Sequence, residues 1–170
     1  MAKSSYTGGK SDMSKGKTNA MRILDRQKIP YQMMSYESGD GKIDGISVAG
    51  KIGRDPLSVY KTLVAQGASR AIYVYVIPVA EELNLKKAAS AAGEKKVEMA
   101  PVKDIQKLTG YIRGGCSPIG MIKKYRTFIQ EDACNLGTII VSGGKIGMQI
   151  EIEPALLAEV TEADFKDLIK

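Results

Sequence analysis

Three short stretches of this sequence carry residue types that could do chemistry. None contains histidine, because the 170-residue chain has none. That removes Ser-His-Asp and Cys-His nucleophilic catalysis, imidazole general-base catalysis and every His-ligated metal site. Lysine, carboxylate, tyrosine, serine, cysteine and the backbone amide remain. The two cysteines, Cys116 and Cys134, are too few for a four-thiolate metal site, and their spacing fits no redox motif. The sequence shows no secretory signal, so both are expected as reduced thiols in a cytoplasmic protein.

The first stretch is Val59-Tyr60-Lys61-Thr62-Leu63-Val64. In a strand, Lys61 shares a mostly apolar face with Val59, Leu63 and Ala65. Such a lysine either snorkels at a sheet rim or sits in a pocket to meet an anion. The second stretch runs from Gly110 to Gly120, with four glycines and one proline in eleven residues. Its N–H groups can approach a ligand closely, or it can be a structural crossover. No GK[ST] follows, which argues against a nucleotide-hydrolysing P-loop. Cys116 lies in this loop. As a nucleophile it would need activation by a lysine or a helix N-terminus. Cys134 reads as a packing residue. The third stretch, Val141-Ser142-Gly143-Gly144-Lys145-Ile146-Gly147, reads as a hairpin turn with Ser142 as a hydroxyl at a strand end. Tyr36 closes the first expected strand, as a pocket wall or as a core aromatic.

The elements that must position these residues follow from pattern and punctuation. Thr18 is the expected N-cap of a helix over TNAMRILDRQK, stopped by Ile29-Pro30. Residues 31–36 read as a strand and 43–52 as a short helix, and Asp55-Pro56 starts a turn. Residues 59–66 and 71–77 read as a hairpin inside a sheet. Asn84 caps a helix that Gly93 ends, and 96–100 is a short strand. Pro101 opens a helix that Gly110 ends. Residues 138–142 and 146–152 form a second hairpin around Gly143-Gly144-Lys145, and Pro154 opens a short helix. Thr161 with Asp164 resembles a capping box for a last helix. Interspersed helices and antiparallel hairpins predict an α+β fold with a mixed sheet, not a doubly wound parallel one.

Composition sets the outer limits. At 44% hydrophobic and 26% charged residues, the chain can bury a core as one domain. No apolar run approaches the roughly 20 residues of a membrane helix, so no membrane partner is expected. Residues 1–17 read as a polar basic tail, with Lys3, Lys10, Lys15 and Lys17 against Asp12. The domain is expected over 18–170, which carries the other half of the +6 net charge. A mildly basic body is compatible with a polyanion such as RNA.

Four segments in this order resemble the YbaK/aminoacyl-tRNA editing family: SVYKTLV (58–64), PVAEELNLKKAASAAGEKKVEMA (78–100), TGYIRGGCSPIG (109–120) and IIVSGGKIGMQIEI (139–152). The resemblance covers about 18–170 and is strongest to freestanding Cys-tRNA(Pro) deacylases. It implies a single curved, barrel-like mixed β-sheet surrounded by helices. It implies hydrolysis of the ester that joins a wrong amino acid to the 3′ adenosine of a tRNA. Lys61 matches the family's pocket lysine, treated as catalytic. Tyr36, Thr62, Tyr111, Gly114 and Ser142 match its substrate-binding positions. Neither metal nor cofactor is implied. The implied partner is a mischarged tRNA through its 3′ aminoacyl end, with prolyl-tRNA synthetase as a candidate second partner. For a cysteinyl ester, the resemblance implies that the substrate's own thiol attacks the carbonyl. Ser38 stands where relatives often carry histidine, and Gln149 near a position where some carry aspartate. The alternatives are an Ala-tRNA(Pro) deacylase that uses water, or a non-catalytic RNA- or ligand-binding domain of the same fold.

Overall fold

A computed structural model describes residues 16–170. The expected tail over 1–17 lies outside the described residues except for Gly16 and Lys17. Helix α1 (Asn19–Arg26) starts where Thr18 accepts the Met21 N–H at 3.2 Å, and it buries Ala20, Met21 and Leu24. Helix α2 (Gly45–Ile52) is capped by Asp44, which accepts the Ser47 N–H at 3.1 Å and the Ser47 hydroxyl at 2.7 Å. Helix α3 (Leu85–Ala92) is capped by Asn84 and stopped by Gly93 in the left-handed region. Helix α4 (Ile105–Thr109) follows a short 3₁₀ turn, and Gly110 ends it. Helix α5 (Pro154–Thr161) opens on Pro154.

The strands are β1 (Gln32–Ser35), β2 (Tyr60–Gly67), β3 (Ile72–Pro78), β4 (Val97–Met99), β5 (Arg126–Gln130), β6 (Ile139–Lys145), β7 (Met148–Ile152) and β8 (Asp164–Lys166). They form a five-stranded sheet ordered β4-β2-β3-β5-β8 and a three-stranded sheet ordered β1-β7-β6. Strands β3, β5 and β8 run parallel, while the other pairs are antiparallel. The mixed α+β architecture is as expected. The single barrel-like sheet is not: among the described residues two sheets meet at one parallel bridge, Val59 to Ile140, and no barrel closes.

Period-2 alternation sorts the core. On β3, Val74 and Val76 face the main core, with Ile139, Val141, Ile150 and Ile152 of the small sheet, Met21 and Leu24 of α1, and Leu157 of α5. Tyr73, Tyr75 and Ile77 face the other way, onto the alanines of α3 and onto Phe128. The Tyr75 and Phe128 rings stack with centroids 5.5 Å apart. A third cluster joins Met34, Ala49, Val59, Val79 and Ile140, and so seats α2 over the junction of the two sheets.

Three expectations need correction. Residues 126–130 carried no sequence assignment, yet they form β5, a buried strand between β3 and β8. Thr161 caps no helix. It is the last residue of α5, its hydroxyl donates to Leu157 O, and Asp164 begins β8 on the free side of β5. The turn of the second hairpin is not Gly143-Gly144-Lys145. Strand β6 continues through Lys145, with an irregularity between Ser142 and Lys145, and the chain reverses at Ile146-Gly147. A bulge absorbs the extra residues, and Gly144, at φ +101°, supplies the backbone geometry that the bulge needs.

One polar link ties the loop after α2 to the small sheet. Arg54 grips Glu151 of β7 with two nitrogens, at 2.9 and 2.8 Å, and Thr138 donates its hydroxyl to the same carboxylate. The guanidinium holds the Glu151 carboxyl below its usual value of 4.5 and Thr138 adds to this, while burial opposes it. A carboxyl depressed in the folded state adds stability above its unfolded pKa and loses it as pH falls through the folded value. Glu151→Gln is therefore expected to cost about 1–3 kcal/mol at neutral pH by chemical denaturation. The gap between variant and wild type closes as pH drops below 4.5. A gap that persists unchanged at pH 3 would show that charge is not what Glu151 contributes.

Candidate active site

Strand β2 has two partners along only part of its length. It pairs with β3 from Tyr60 to Gln66, but with β4 only from Ala65 to Gly67. Val79 N–H bonds to Val59 O and Gly67 N–H bonds to Ala71 O, which puts the odd-numbered backbone groups of β2 toward β3. The even-numbered groups face the other edge, as the bond from Ala100 N–H to Val64 O confirms. The N–H and C=O of Thr62 thus lie on an edge that no strand covers among the described residues.

A cavity of about 640 Å³ opens along that edge. Tyr60, Lys61, Thr62 and Leu63 supply one wall. Gly45 and Ile46 at the start of α2 and Val79 after β3 supply a second. Arg113, Gly114 and Cys116 of the glycine loop supply a third, and Ser142 and Gln149 supply a fourth. Lys61, Thr62, Gly114 and Ser142, separated by up to 81 positions in sequence, therefore share one cavity.

Each wall has a local cause. Lys61 lies opposite Ile77 on the face of β2 that packs toward α3. It is half-buried and makes no ion pair within 4.0 Å among the described residues. Burial lowers the pKa of its ammonium, and the charges of Glu82 and Glu81 push it back up. Thr62 lies on the opposite face, and its hydroxyl is buried without a hydrogen-bond partner. Burying a hydroxyl unpaired is costly, so Thr62 Oγ1 is a polar atom with capacity for a ligand. Ser142 and Gln149 are cross-strand neighbours on β6 and β7. Ser142 Oγ accepts the Gly144 N–H at 3.2 Å, which leaves its own proton to donate. The glycine loop docks so closely on the second hairpin that a side chain at Gly115 would sit 2.8 Å from the Ile146 backbone nitrogen. Gly114, at φ +89°, brings the loop against Ile43.

The other two candidate positions stand apart from the wall. Tyr111 is buried, and its hydroxyl donates to Ile119 O at 2.6 Å across the base of the glycine loop. Its place is that of a brace that fixes the loop's shape. Tyr36 sits beside the hairpin turn, where its N–H bonds to Gly147 O and its ring lies 5.7 Å below the Lys51 ammonium. Its hydroxyl is buried without a partner. Sequence reasoning did not single out Asp44, Gly45, Val79 or Arg113, all of which line the cavity. The Asp44 cap was legible in the Asp-Gly-Ile-Ser run. Val79 carried no signal beyond its place after a strand.

Cys116 is on the wall, but its chemistry is muted. Burial pushes its thiol up to about 11, opposed by a weak hydrogen bond to Thr109 Oγ1 at 3.9 Å. At neutral pH it is a thiol, and no base stands beside it. Among the described residues no three or more His, Cys, Asp or Glu side chains converge as metal ligands. No helix there is long and apolar enough to cross a membrane. The site can bind and orient, and it can polarise with N–H, O–H and ammonium groups, but it presents no activated nucleophile.

Comparison with known proteins agrees with this geometry. Residues 46–160 match the aminoacyl-tRNA editing domain family. That segment includes Lys61, Thr62, Tyr111, Gly114 and Ser142 and leaves Tyr36 outside. The chain is 45% identical over 152 residues to a protein of Enterococcus faecalis named "Putative Cys-tRNA(Pro)/Cys-tRNA(Cys) deacylase EbsC", covering 89% of this chain and 93% of that one. Among solved structures, one described as a "putative trans-editing enzyme for prolyl tRNA synthetase" superposes with a TM-score of 0.80 at 20% identity, covering 89% of this chain and 95% of its own. A second, a hypothetical protein, gives 0.83 at 20% identity, covering 90% and 100%. At that identity these two neighbours show the fold.

The two thiols should react very differently. Cys134 is exposed, not the packing residue expected, whereas Cys116 is largely buried and its thiol is pushed up to about 11. At pH 8 only on the order of 0.1% of Cys116 is thiolate. A chromogenic disulfide reagent is expected to titrate one thiol per chain quickly and the second only on denaturation, with Cys134→Ser removing the fast phase. A fast phase that survives in Cys134→Ser would mark Cys116 as activated.

Proposed function

The chain belongs to the aminoacyl-tRNA editing domain family, and we propose that it is a deacylase that removes cysteine from tRNA, with mischarged Cys-tRNA(Pro) as its substrate and Cys-tRNA(Cys) as a second one. The single observation that carries this reading is the composition of the cavity. Lys61, Thr62, Gly114 and Ser142 converge there, and the only cysteine on the wall is held as a thiol. An editing site is needed because a synthetase pocket rejects small or near-isosteric amino acids poorly by binding alone.

The chemistry then falls to the substrate. An aminoacyl ester is already activated, and cysteine carries its own nucleophile. Its thiolate attacks the ester carbonyl carbon, and a sulfur–carbon bond forms as the carbon–oxygen bond to the terminal ribose breaks. The ribose oxygen takes up the proton that the thiol gave to solvent. A four-membered thiolactone leaves, and water opens it. The protein contributes orientation and charge stabilisation. Lys61 holds the 3′-terminal nucleotide, and N–H groups near Gly114 polarise the carbonyl. The Thr62 and Ser142 hydroxyls fix the ester between them. The editing unit spans 18–170, and a mischarged tRNA is the partner. A solved neighbour described in connection with prolyl-tRNA synthetase supports that synthetase as the enzyme whose errors this chain corrects.

Two measurements test this. Lys61→Ala is expected to fold normally and to lose deacylation by roughly 10²-fold or more, as for loss of one preorganised charge-stabilising donor. Near-normal turnover in a folded Lys61→Ala protein removes lysine from the mechanism. With charged tRNAs, the expected order is Cys above Ser above Ala, because a thiol of pKa about 8.5 is partly ionised at neutral pH and a hydroxyl is not. Alkylating the thiol of Cys-tRNA should stop cleavage. Ala-tRNA cleaved as fast as Cys-tRNA would exclude thiol assistance and point to water as the nucleophile.

A further inference from the structure

The positive charge of this protein is concentrated in one short piece of chain. Residues 101–126 hold Lys103, Lys107, Arg113, Lys123, Lys124 and Arg126 against Asp104 alone, a net of +5 in a chain of net +6. Residues 1–17 carry +3, so everything else in the fold sums to −2. This piece comprises α4 with its leading turn, the glycine loop and the segment that runs into β5.

The fold gathers the piece into one surface. Ile122 N–H bonds to Thr109 O at 3.0 Å, and the Tyr125 hydroxyl donates to Leu108 O at 2.6 Å. The chain at 122–125 therefore lies against the C-terminal end of α4. Lys124 and Arg126 have carboxylate partners, Glu162 at 2.8 Å and Asp164 at 3.9 Å. Lys103, Lys107, Arg113 and Lys123 are exposed, and among the described residues none of them makes an ion pair. One end of the surface is the active-site cavity, where Arg113 is part of the wall. The other end is a second cavity of about 250 Å³ between α1, residues 118–125 and the end of α5. Among the described residues, Arg26, Lys123 and Lys124 line it, and no carboxylate does. The glycine loop thus walls both cavities.

We propose that the surface built by this piece of chain, which carries Lys103, Lys107, Arg113 and Lys123 and reaches from the active-site cavity to the second cavity, carries the sugar–phosphate backbone of the RNA whose 3′ end enters the active site. The inference rests on the deacylase reading and adds to it the face on which the nucleic acid lies. Four unpaired cations in an otherwise acidic fold are a directional signal. They attract a polyanion to one side, adjacent to the catalytic cavity, and repel it elsewhere. Phosphate contacts of this kind fix register without reading sequence. This suits an enzyme that must place the terminal nucleotide whatever the body of the RNA.

The test combines Lys103→Ala, Lys107→Ala and Lys123→Ala, and leaves Arg113 untouched because it belongs to the active-site wall. A control combines Lys86→Ala, Lys95→Ala and Lys96→Ala, an equal loss of charge outside the segment. Binding of uncharged tRNA is measured by fluorescence anisotropy across a salt series. Deacylation is measured with Cys-tRNA and with cysteinyl-adenosine. The first triple variant should bind tRNA roughly tenfold or more weakly, with a log–log salt slope shallower by about 2, since each lost phosphate contact removes about 0.7–0.9. Its KM for Cys-tRNA should rise, while turnover of cysteinyl-adenosine stays unchanged. The control should match wild type, and replacing the same three lysines by arginine should restore binding. Unchanged tRNA affinity and salt slope in the folded triple variant overturn the proposal, as does an equal loss in the control. If wild type cleaves neither ester but tRNA binding still falls only in the first variant, the deacylase reading fails and the RNA surface stands.

Discussion

The site depends on a strand that has only half of its second neighbour. Strand β2 is paired with β3 along its length, but β4 ends at Met99, opposite Ala65, and the bridge to β6 is confined to Val59. Between those two contacts the outer edge of β2 is open. An open edge inside a fold is a cost, because backbone N–H and C=O groups want partners and sheet edges invite aggregation. This protein keeps the gap short and roofs it with α2, the glycine loop and the second hairpin. Alternation then puts Lys61 on one side of the strand and Thr62 on the other, and the cavity wraps the edge to reach both.

The roof explains why so much of the local sequence is glycine. The loop at 110–120 must lie against the β6–β7 hairpin at a distance that excludes a Cβ at Gly115, and it must turn with positive φ at Gly114. Tyr111 then pins its base through Ile119 O. None of these constraints concerns chemistry directly, yet loss of any of them would move Arg113, Gly114 and Cys116 off the wall together. The same burial that seals the loop keeps Cys116 protonated. Dense packing and an inert thiol have one cause here. In the proposed function such a site supplies position and polarity and leaves reactivity to the bound ester.

Elements closed by local signals were readable from the sequence. Thr18, Asn84 and Gly93 mark their helix ends in the structure as their side chains and backbone preferences dictate. The β2–β3 hairpin followed from two β-branched and aromatic runs around a short turn. What could not be read depended on partners distant in sequence. Strand β5 is five residues, Arg-Thr-Phe-Ile-Gln, with no turn residue on either flank, and its parallel partners lie 53 positions before it on β3 and 36 after it on β8. Asp164 shows the converse error. The Thr161–Asp164 spacing satisfies a helix-start rule, but the open side of β5 claims the segment as β8. The division of strands into two sheets was hidden for a similar reason, since it depends on where α2 wedges over Val59 and Ile140. Within the site, motif resemblance indicated Lys61, Thr62, Gly114 and Ser142, but the roles of Tyr36 and Tyr111 needed three-dimensional geometry to be separated from the wall.

The neutral residue at Gln149 completes the electrostatic logic. It is 6% exposed, directly across from Ser142, with its side-chain amide against its own strand at Met148 O. A carboxylate there would face Lys61 and Arg113 around one cavity and would cancel part of their field. With an amide in place, the one carboxylate on the wall among the described residues is Asp44, which is exposed and already committed to capping α2. Among the described residues on the wall, Lys61 and Arg113 therefore outnumber that one carboxylate, with Glu81 and Glu82 acting on Lys61 from outside the cavity. In the proposed reaction, a leaving ribose with its adjacent phosphate would gain from that field as the ester bond breaks, whereas the released thiolactone carries no anion to be retained. The same distribution continues outward over α4 and the 122–125 segment. In the proposed reading the field around the ester and the field that meets the RNA adjoin at the glycine loop, which walls both cavities, with Lys61 of β2 contributing to the first and the 101–126 stretch to both.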